Sequence, residues 1–409
     1  MNAFWRKPVY VLFAATAVIL IANGSRQNFG LFLVPLSTDL GWGRGEFALA
    51  IAIQNLVMGC ASPFVAALGD RVGPIRVIAI SGALYASGIA LISISTTPES
   101  MILSAGLIVG LGASGIGFTL PLALVGRVAP AKSRTLWLGI VTAGGSAGQF
   151  VFAPTSAGLI NAFGWSEGLV VMAIIIAIAI PLTLSMKAGS AETLAQPDKQ
   201  DLKTALREAS RHRGYWLLVI GFFVCGFQVQ FIGTHLPGFL KDSGADTWLA
   251  AWALGTIGLF NIIGTIVAGW MGSRWQKKNL LSLLYLARGI LFLVFLYLPV
   301  NEVTVLGFSA ILGLLWLSTV PLTGGIVAQV FGPRYMGTLF AIVFFSHQLG
   351  AFSGVFLGGL LYDIYGTYEA AWWLAIALGG IAALIHWRID ETPVERWVAE
   401  QKAAADKAG

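Results

Sequence analysis

The chain has 409 residues, of which 57% are hydrophobic and only 11% charged, with 25 Lys and Arg against 19 Asp and Glu for a net charge of +6. Soluble domains carry about 25% charged residues, so this chain cannot coat an ordinary water-facing surface, and a bilayer must solvate most of it. Soluble domains in series, a nucleic-acid binder, a disordered chain and a secreted disulfide scaffold are thereby excluded; Cys60 and Cys225 both sit in apolar runs and imply no disulfide framework.

A transmembrane helix needs about 20 mostly apolar residues. Such runs predict twelve spans, near 9–34, 45–68, 75–95, 100–125, 135–161 and 167–186, then 214–240, 245–271, 279–299, 303–328, 337–362 and 367–388. The expected domains are a six-helix bundle over 1–186, a cytoplasmic linker over 187–213, and a second six-helix bundle with a tail over 214–409. The first span is too long for a cleaved signal peptide and no A-x-A site follows it. Lys and Arg placement orients the set. With a cytoplasmic N-terminus, 21 of the 25 basic residues fall inside, only Arg44 and Lys241 fall outside, and Arg26 and Arg288 lie within spans. Both termini are therefore expected in the cytoplasm.

Ionisable groups inside spans are costly and usually functional. In span one, Asn23-Gly24-Ser25-Arg26-Gln27-Asn28 interrupts an apolar helix. Arg26 offers a planar fork for a carboxylate, or else pairs with backbone carbonyls. Spans four and five add Thr119 and Gln149, span seven adds Gln228 and Gln230, and span ten adds Thr319. Thr119 and Thr319 gain weight because each lies two residues before a proline, Pro121 and Pro321. Arg288 in span nine reads as a substrate contact or as a backbone clamp. His347 in span eleven can titrate near neutral pH and is the candidate proton carrier, against a satisfied buried histidine. All 19 acids lie near span ends or in loops. Two buried arginines without a buried acid favour an anionic ligand. No phosphate loop, zinc spacing or catalytic triad is evident, so no cofactor, metal or enzymatic activity is expected. The basic stretch Lys203–Arg213 predicts a short amphipathic helix on the inner leaflet.

The two halves repeat at an offset of about 203 residues. Gln27, Gly30, Asp39 and Gly41 recur as Gln230, Gly233, Asp242 and Gly244; Gly69 and Arg71 recur as Gly272 and Arg274. Thr119-Leu120-Pro121-Leu122 recurs as Thr319-Val320-Pro321-Leu322. Parallel repeats can rock about a site at their interface.

With the loop Asp70-Arg71-Val72-Gly73-Pro74-Ile75-Arg76 and its partial copy at Arg274, the chain resembles the major facilitator superfamily. The resemblance implies an all-α membrane fold of twelve transmembrane helices in two pseudo-symmetric six-helix bundles, with Asp70, Arg71 and Arg274 in gating. Lys132, Arg134, Leu136, Gly139, Ala143 and Gly144 are similar to a fifth-helix signature of the monocarboxylate transporter and oxalate/formate antiporter branch; Ser133, Trp137 and Val141 depart from it. This resemblance implies a secondary transporter of a small organic anion, a monocarboxylate foremost, working by rocker-switch alternating access with a proton or counter-anion as co-substrate. The partners expected are that anion and the lipid bilayer, the chain acts as a monomer, and a bacterial inner membrane is the expected location. The alternative is an exporter of an apolar or neutral compound on the same fold.

Overall fold

The structure is a computed structural model describing residues 8–128, 134–186, 202–272, 274–332 and 336–399. These residues form a helical bundle whose backbone amides pair within their own segments, as a bilayer demands. The first half holds α1 (Pro8–Leu40), α2 (Arg44–Val72), α3 (Pro74–Ile92) and α4, which runs from Pro98 to Ile116 and resumes over Thr119–Val128. Next come the helical residues of Arg134–Ala177, continued by Ala179–Ser185. Their apolar stretch Ile140–Ser185 is 46 residues long, twice what one crossing needs. Gly164, at φ 80° and ψ −179°, turns the chain there and separates α5 (134–163) from α6 (165–185). This left-handed φ suits glycine. Eleven apolar helical stretches thus amount to twelve passes.

The second half holds α7 (Arg213–Asp242), α8 (Thr247–Gly272), α9 (Lys277–Tyr297), α10 (Glu302–Phe331), α11 (Met336–Tyr365) and α12 (Glu369–Trp387). Of the linker, residues 187–201 lie outside the described residues; Leu202–Arg211 is helical, buries Ala205 and Ala209, and leads directly into α7.

Large exposed hydrophobics such as Phe13, Ile174, Ile266 and Leu283 face outward along the spans, where lipid solvates them. The inward residues form two apolar clusters. One is drawn from Val11 through Met186 and takes in Val355 of α11. The other runs from Ala209 to Ile389 and takes in Leu31 of α1 and Ala153 and Ala157 of α5.

Two spans break at matching places. In α4 the helix stops at Ile116 and restarts at Thr119; in α10 it stops at Leu315 and restarts at Thr319. Pro121 and Pro321 then fall in the first turn of the restarted helices, where a missing N–H costs least. In α1 a short 3-10 segment, Phe29–Phe32, follows the polar stretch. The helix then continues to Leu40, six residues past the predicted edge, because Pro35 also sits in a first turn.

Candidate functional site

Arg26 lies near the middle of α1, 18 residues after Pro8 and 14 before Leu40. Arg26 as a residue is half-buried, and its Nη1 donates to Asn55 Oδ1 of α2 at 3.0 Å. Asn55 is held by its own bond to Ile51 O at 2.9 Å. Among the described residues Arg26 has no carboxylate partner. A guanidinium carries five N–H donors, and one neutral acceptor leaves most of them for an anion. Next to it Ser25 bonds Tyr85 of α3 at 3.0 Å, which fixes this turn of α1 against the first half.

Other amides are buried on α1 and on the helices packed against it. Asn28 donates to Gly24 O at 2.8 Å and to Gln149 O of α5 at 2.9 Å. The structure thus brings together two predicted residues from different spans. Asn28 Oδ1, Asn23 Nδ2, Gln149 Nε2 and Gln348 Nε2 are buried without a protein partner. Buried polar atoms are normally satisfied, so these four are among the groups that a ligand or water can complete. Gln27 is half-buried and Gln230 buried.

The remaining predicted residues are placed differently. Gln228 is spent on structure: Nε2 donates to Ala375 O of α12 at 3.0 Å, and Oε1 accepts from Arg288 Nη1 at 3.3 Å. Arg288 is fully buried, and its geometry is that of the backbone clamp rather than the substrate contact. Its Nε and Nη2 donate to Leu315 O at 3.1 and 2.6 Å, and Nη2 donates to Trp316 O at 2.5 Å. Those carbonyls are orphaned by the α10 break. The orphaned N–H of Leu317 goes to Asn261 Oδ1 of α8 at 3.0 Å, and Asn261 Nδ2 donates to Ser146 Oγ of α5 at 3.1 Å. One asparagine thus closes the break and joins the two halves. Thr319 is buried against Cys225, 3.2 Å from its sulfur. The side chain of Thr119 lies outside the described residues.

His347 is 6% exposed, shares a 3.0 Å bond with Gln348 Oε1 through Nδ1, and packs between the rings of Phe222 and Phe344 at 5.0 and 5.3 Å. Arg274 is exposed, its guanidinium 4.1 Å from the Trp270 ring of its own half. The side chains of Asp70 and Arg71 lie outside the described residues.

The sequence reading missed a second constellation, at the end of the bundle opposite the termini. Arg44 at the start of α2 grips Asp242 of α7 with both terminal nitrogens, at 2.7 and 2.5 Å. Nη1 also donates to Tyr368 OH at 3.0 Å, and the guanidinium lies 3.9 Å from the Tyr362 ring. Asp363 of α11 accepts from the backbone N–H groups of Arg44 and Gly45 at 3.0 and 2.7 Å. A carboxylate at a helix N-terminus is favoured by the dipole. Burial holds the Tyr368 hydroxyl above the ordinary tyrosine range, so it stays a neutral partner to Arg44. Deeper in, α1 crosses α7 backbone to backbone at Gly30, where a Cβ would lie 2.7 Å from Thr234 O. Gly30 abuts its own repeat mate, Gly233. The halves are therefore latched together at this end, and the half-buried Arg26 lies below the latch.

Known proteins bear on these features. Residues 15–355 match the sequence profile of the Major Facilitator Superfamily. The chain is 26% identical over 400 residues to the uncharacterized MFS-type transporter YcxA of Bacillus subtilis (strain 168), covering 92% of this chain and 93% of that one. It is 25% identical over 383 residues to monocarboxylate transporter 13 of Rattus norvegicus, covering 88% and 84%. To monocarboxylate transporter 12 of Homo sapiens it is 24% identical over 390 residues, covering 87% and 75%. The fold matches the crystal structure of a bacterial homolog to the human lysosomal transporter Spinster, inward-facing and unoccupied, with a TM-score of 0.79 and 15% identity over 95% of this chain and 97% of that one. The chain is therefore a multi-pass membrane protein that belongs to the major facilitator superfamily, a family of transporters and not of enzymes.

Proposed function

We propose that the protein carries a small organic anion, a monocarboxylate foremost, across the membrane by alternating access. The observation that carries this reading is Arg26: a half-buried cation at mid-depth whose one hydrogen bond among the described residues goes to a neutral amide. A carboxylate can take the free edge of that guanidinium as a bidentate pair. The unpartnered atoms of Asn23, Asn28, Gln149 and Gln348 supply further polar contacts. The monocarboxylate transporters among the relatives support the same substrate class.

In the proposed cycle the 1–186 and 214–409 bundles rock about this site, joined by the 187–213 linker. The Arg44–Asp242–Asp363 latch ties α2 to α7 and α11 at the outer end, and in the cycle it holds while the site opens toward the side of the termini. Their cytoplasmic location rests on the 21-to-2 split of basic residues; a bacterial inner membrane and a monomer complete the proposal. Asp70, Arg71 and Arg274 take the inner gate, formed when the halves rock the other way. His347 is the proposed proton carrier, since it is the titratable group packed beside Gln348; a counter-anion is the alternative co-substrate.

The test is a thermal-shift screen of purified wild type and Arg26→Gln against lactate, pyruvate, longer monocarboxylates, dicarboxylates, neutral sugars and cationic dyes. A ligand at 100 times its Kd stabilises by about 2.7 kcal/mol. Stabilisation by one carboxylate class that disappears in R26Q is expected. Stabilisation by apolar or cationic compounds alone would move the protein to the exporter reading.

A further inference from the structure

At the end that carries the termini, a cleft of about 460 Å³ lies between the linker helix, the start of α7 and the end of α12. Its lining is Arg211, His212, Arg213, Gly214, Arg388 and Asp390. Three arginines face one carboxylate. Asp390 is already engaged, accepting from the N–H of Thr392 at 2.9 Å and from its hydroxyl at 2.6 Å. These bonds hold its carboxyl below the usual range, so it stays charged and the lining keeps two uncompensated positive charges. Among the described residues none of the three arginines makes an ion pair, whereas nearby Arg396 is paired with Glu208 at 3.1 Å. His212 caps α7, its Nδ1 accepting from the N–H of Tyr215 at 3.2 Å. Its Nε2 therefore carries the proton and is a further donor. The positive end of the 30-residue helix α7 opens at the same place. Gly214 is needed there, because a Cβ would lie 2.6 Å from Asp390 O.

The surroundings say which anion this is. Trp216 and Trp387, 46% and 62% exposed, flank the cleft one residue or two from its lining, with Leu384 at 61% on the same helix as Trp387. Exposed tryptophans beside an apolar belt mark head-group depth. A basic pocket between helices at that depth is suited to a lipid phosphate. We infer that this cleft binds the phosphate group of an anionic membrane lipid, which ties the linker helix to α7 and α12.

The delipidated protein in neutral detergent would be titrated with short-chain phosphatidylglycerol, short-chain phosphatidylcholine and inorganic phosphate, and its unfolding temperature followed. Phosphatidylglycerol is expected to stabilise wild type saturably, and the other two to do nothing. Each basic residue at an anionic surface is worth about fivefold in affinity, so R211Q/R213Q/R388Q should need about a hundredfold more lipid. If the triple variant does not fold, Arg388→Gln alone should need about fivefold more, and Arg388→Lys should restore most of it. Identical titrations for wild type and variants overturn the inference. Inorganic phosphate matching phosphatidylglycerol at the same concentration overturns the lipid assignment.

Discussion

Replacing Arg44 by Gln removes the side-chain part of the latch at the outer end while leaving the helix start and its backbone bonds to Asp363 in place. The losses are the two-pronged bond to Asp242, the bond to Tyr368, the close contact with the Tyr362 ring and a looser one, at 5.4 Å, with the Tyr368 ring. The arginine side chain is 12% exposed and Asp242 is 35% exposed. Water therefore screens the pair on one side, and the full worth of a buried ion pair does not apply. Charge-assisted bonds of this geometry and one cation–π contact together come to about 2 kcal/mol. The latch exists only when the outer ends touch, so its loss shifts the balance toward the outer-open conformer by about thirtyfold. Asp242→Asn, which keeps an acceptor, should shift it by less. The assay is a distance distribution between spin labels at E99C and E302C, exposed positions in corresponding places of the two halves, in a background carrying Cys60→Ser. Wild type should give the short distance, and R44Q should gain a longer population. Unchanged distributions in R44Q would show that the latch contributes nothing to closure and refute the argument.

Other outcomes follow from individual contacts. Gly30→Ala forces a Cβ against the Thr234 backbone, which cannot give way; overpacking of about 1–3 kcal/mol should favour the longer label distance, as R44Q does, and a shorter or equal distance would contradict the crossing. Arg288→Met orphans Leu315 O and Trp316 O, so the unfolding temperature should fall by the equivalent of about 3 kcal/mol or more while the affinity of the folded fraction for the anion stays within threefold. A normal unfolding temperature with lost affinity would return Arg288 to the substrate site. Asn261→Ala removes the bonds to Leu317 and Ser146 and should cost about 1–3 kcal/mol in thermal unfolding. His347→Gln should abolish acceleration of uptake by a proton gradient yet leave anion exchange running; preserved acceleration would remove His347 from coupling.

Much of the architecture is legible in the residues because a bilayer leaves few choices. Runs of about 20 apolar residues place most spans within a few residues of the observed helices, while the interruptions of α4 and α10 are seen only in the structure. The repeat also carries spatial meaning, since Gly30 and Gly233 meet where α1 crosses α7. Arg26 stands out as a charge inside an apolar run. What hides is pairing across distance. Arg44 and Asp242 are 198 residues apart and each sits at a span end, where a charge ordinarily faces water. The partners of Arg288 are backbone carbonyls exposed by a helix break, and no residue type signals them. Asn261 looks like any polar residue in an apolar helix until the break beside it is seen. The repeat held one clue: Asp242 is the mate of Asp39, and Asp39 is bound to Trp165 at 2.8 Å within its own half, so the two copies have diverged in partner.

Arg26 is the residue proposed to receive the carboxylate of the transported anion. The most direct measurement is uptake of a radiolabelled monocarboxylate, chosen from the thermal-shift screen, into proteoliposomes of wild type and R26Q at matched protein density. Loss of a charge-assisted two-pronged contact is worth about 3 kcal/mol. Wild type should show saturable uptake, with R26Q lower by about a hundredfold at subsaturating substrate. Equal uptake by the two proteins would contradict the account.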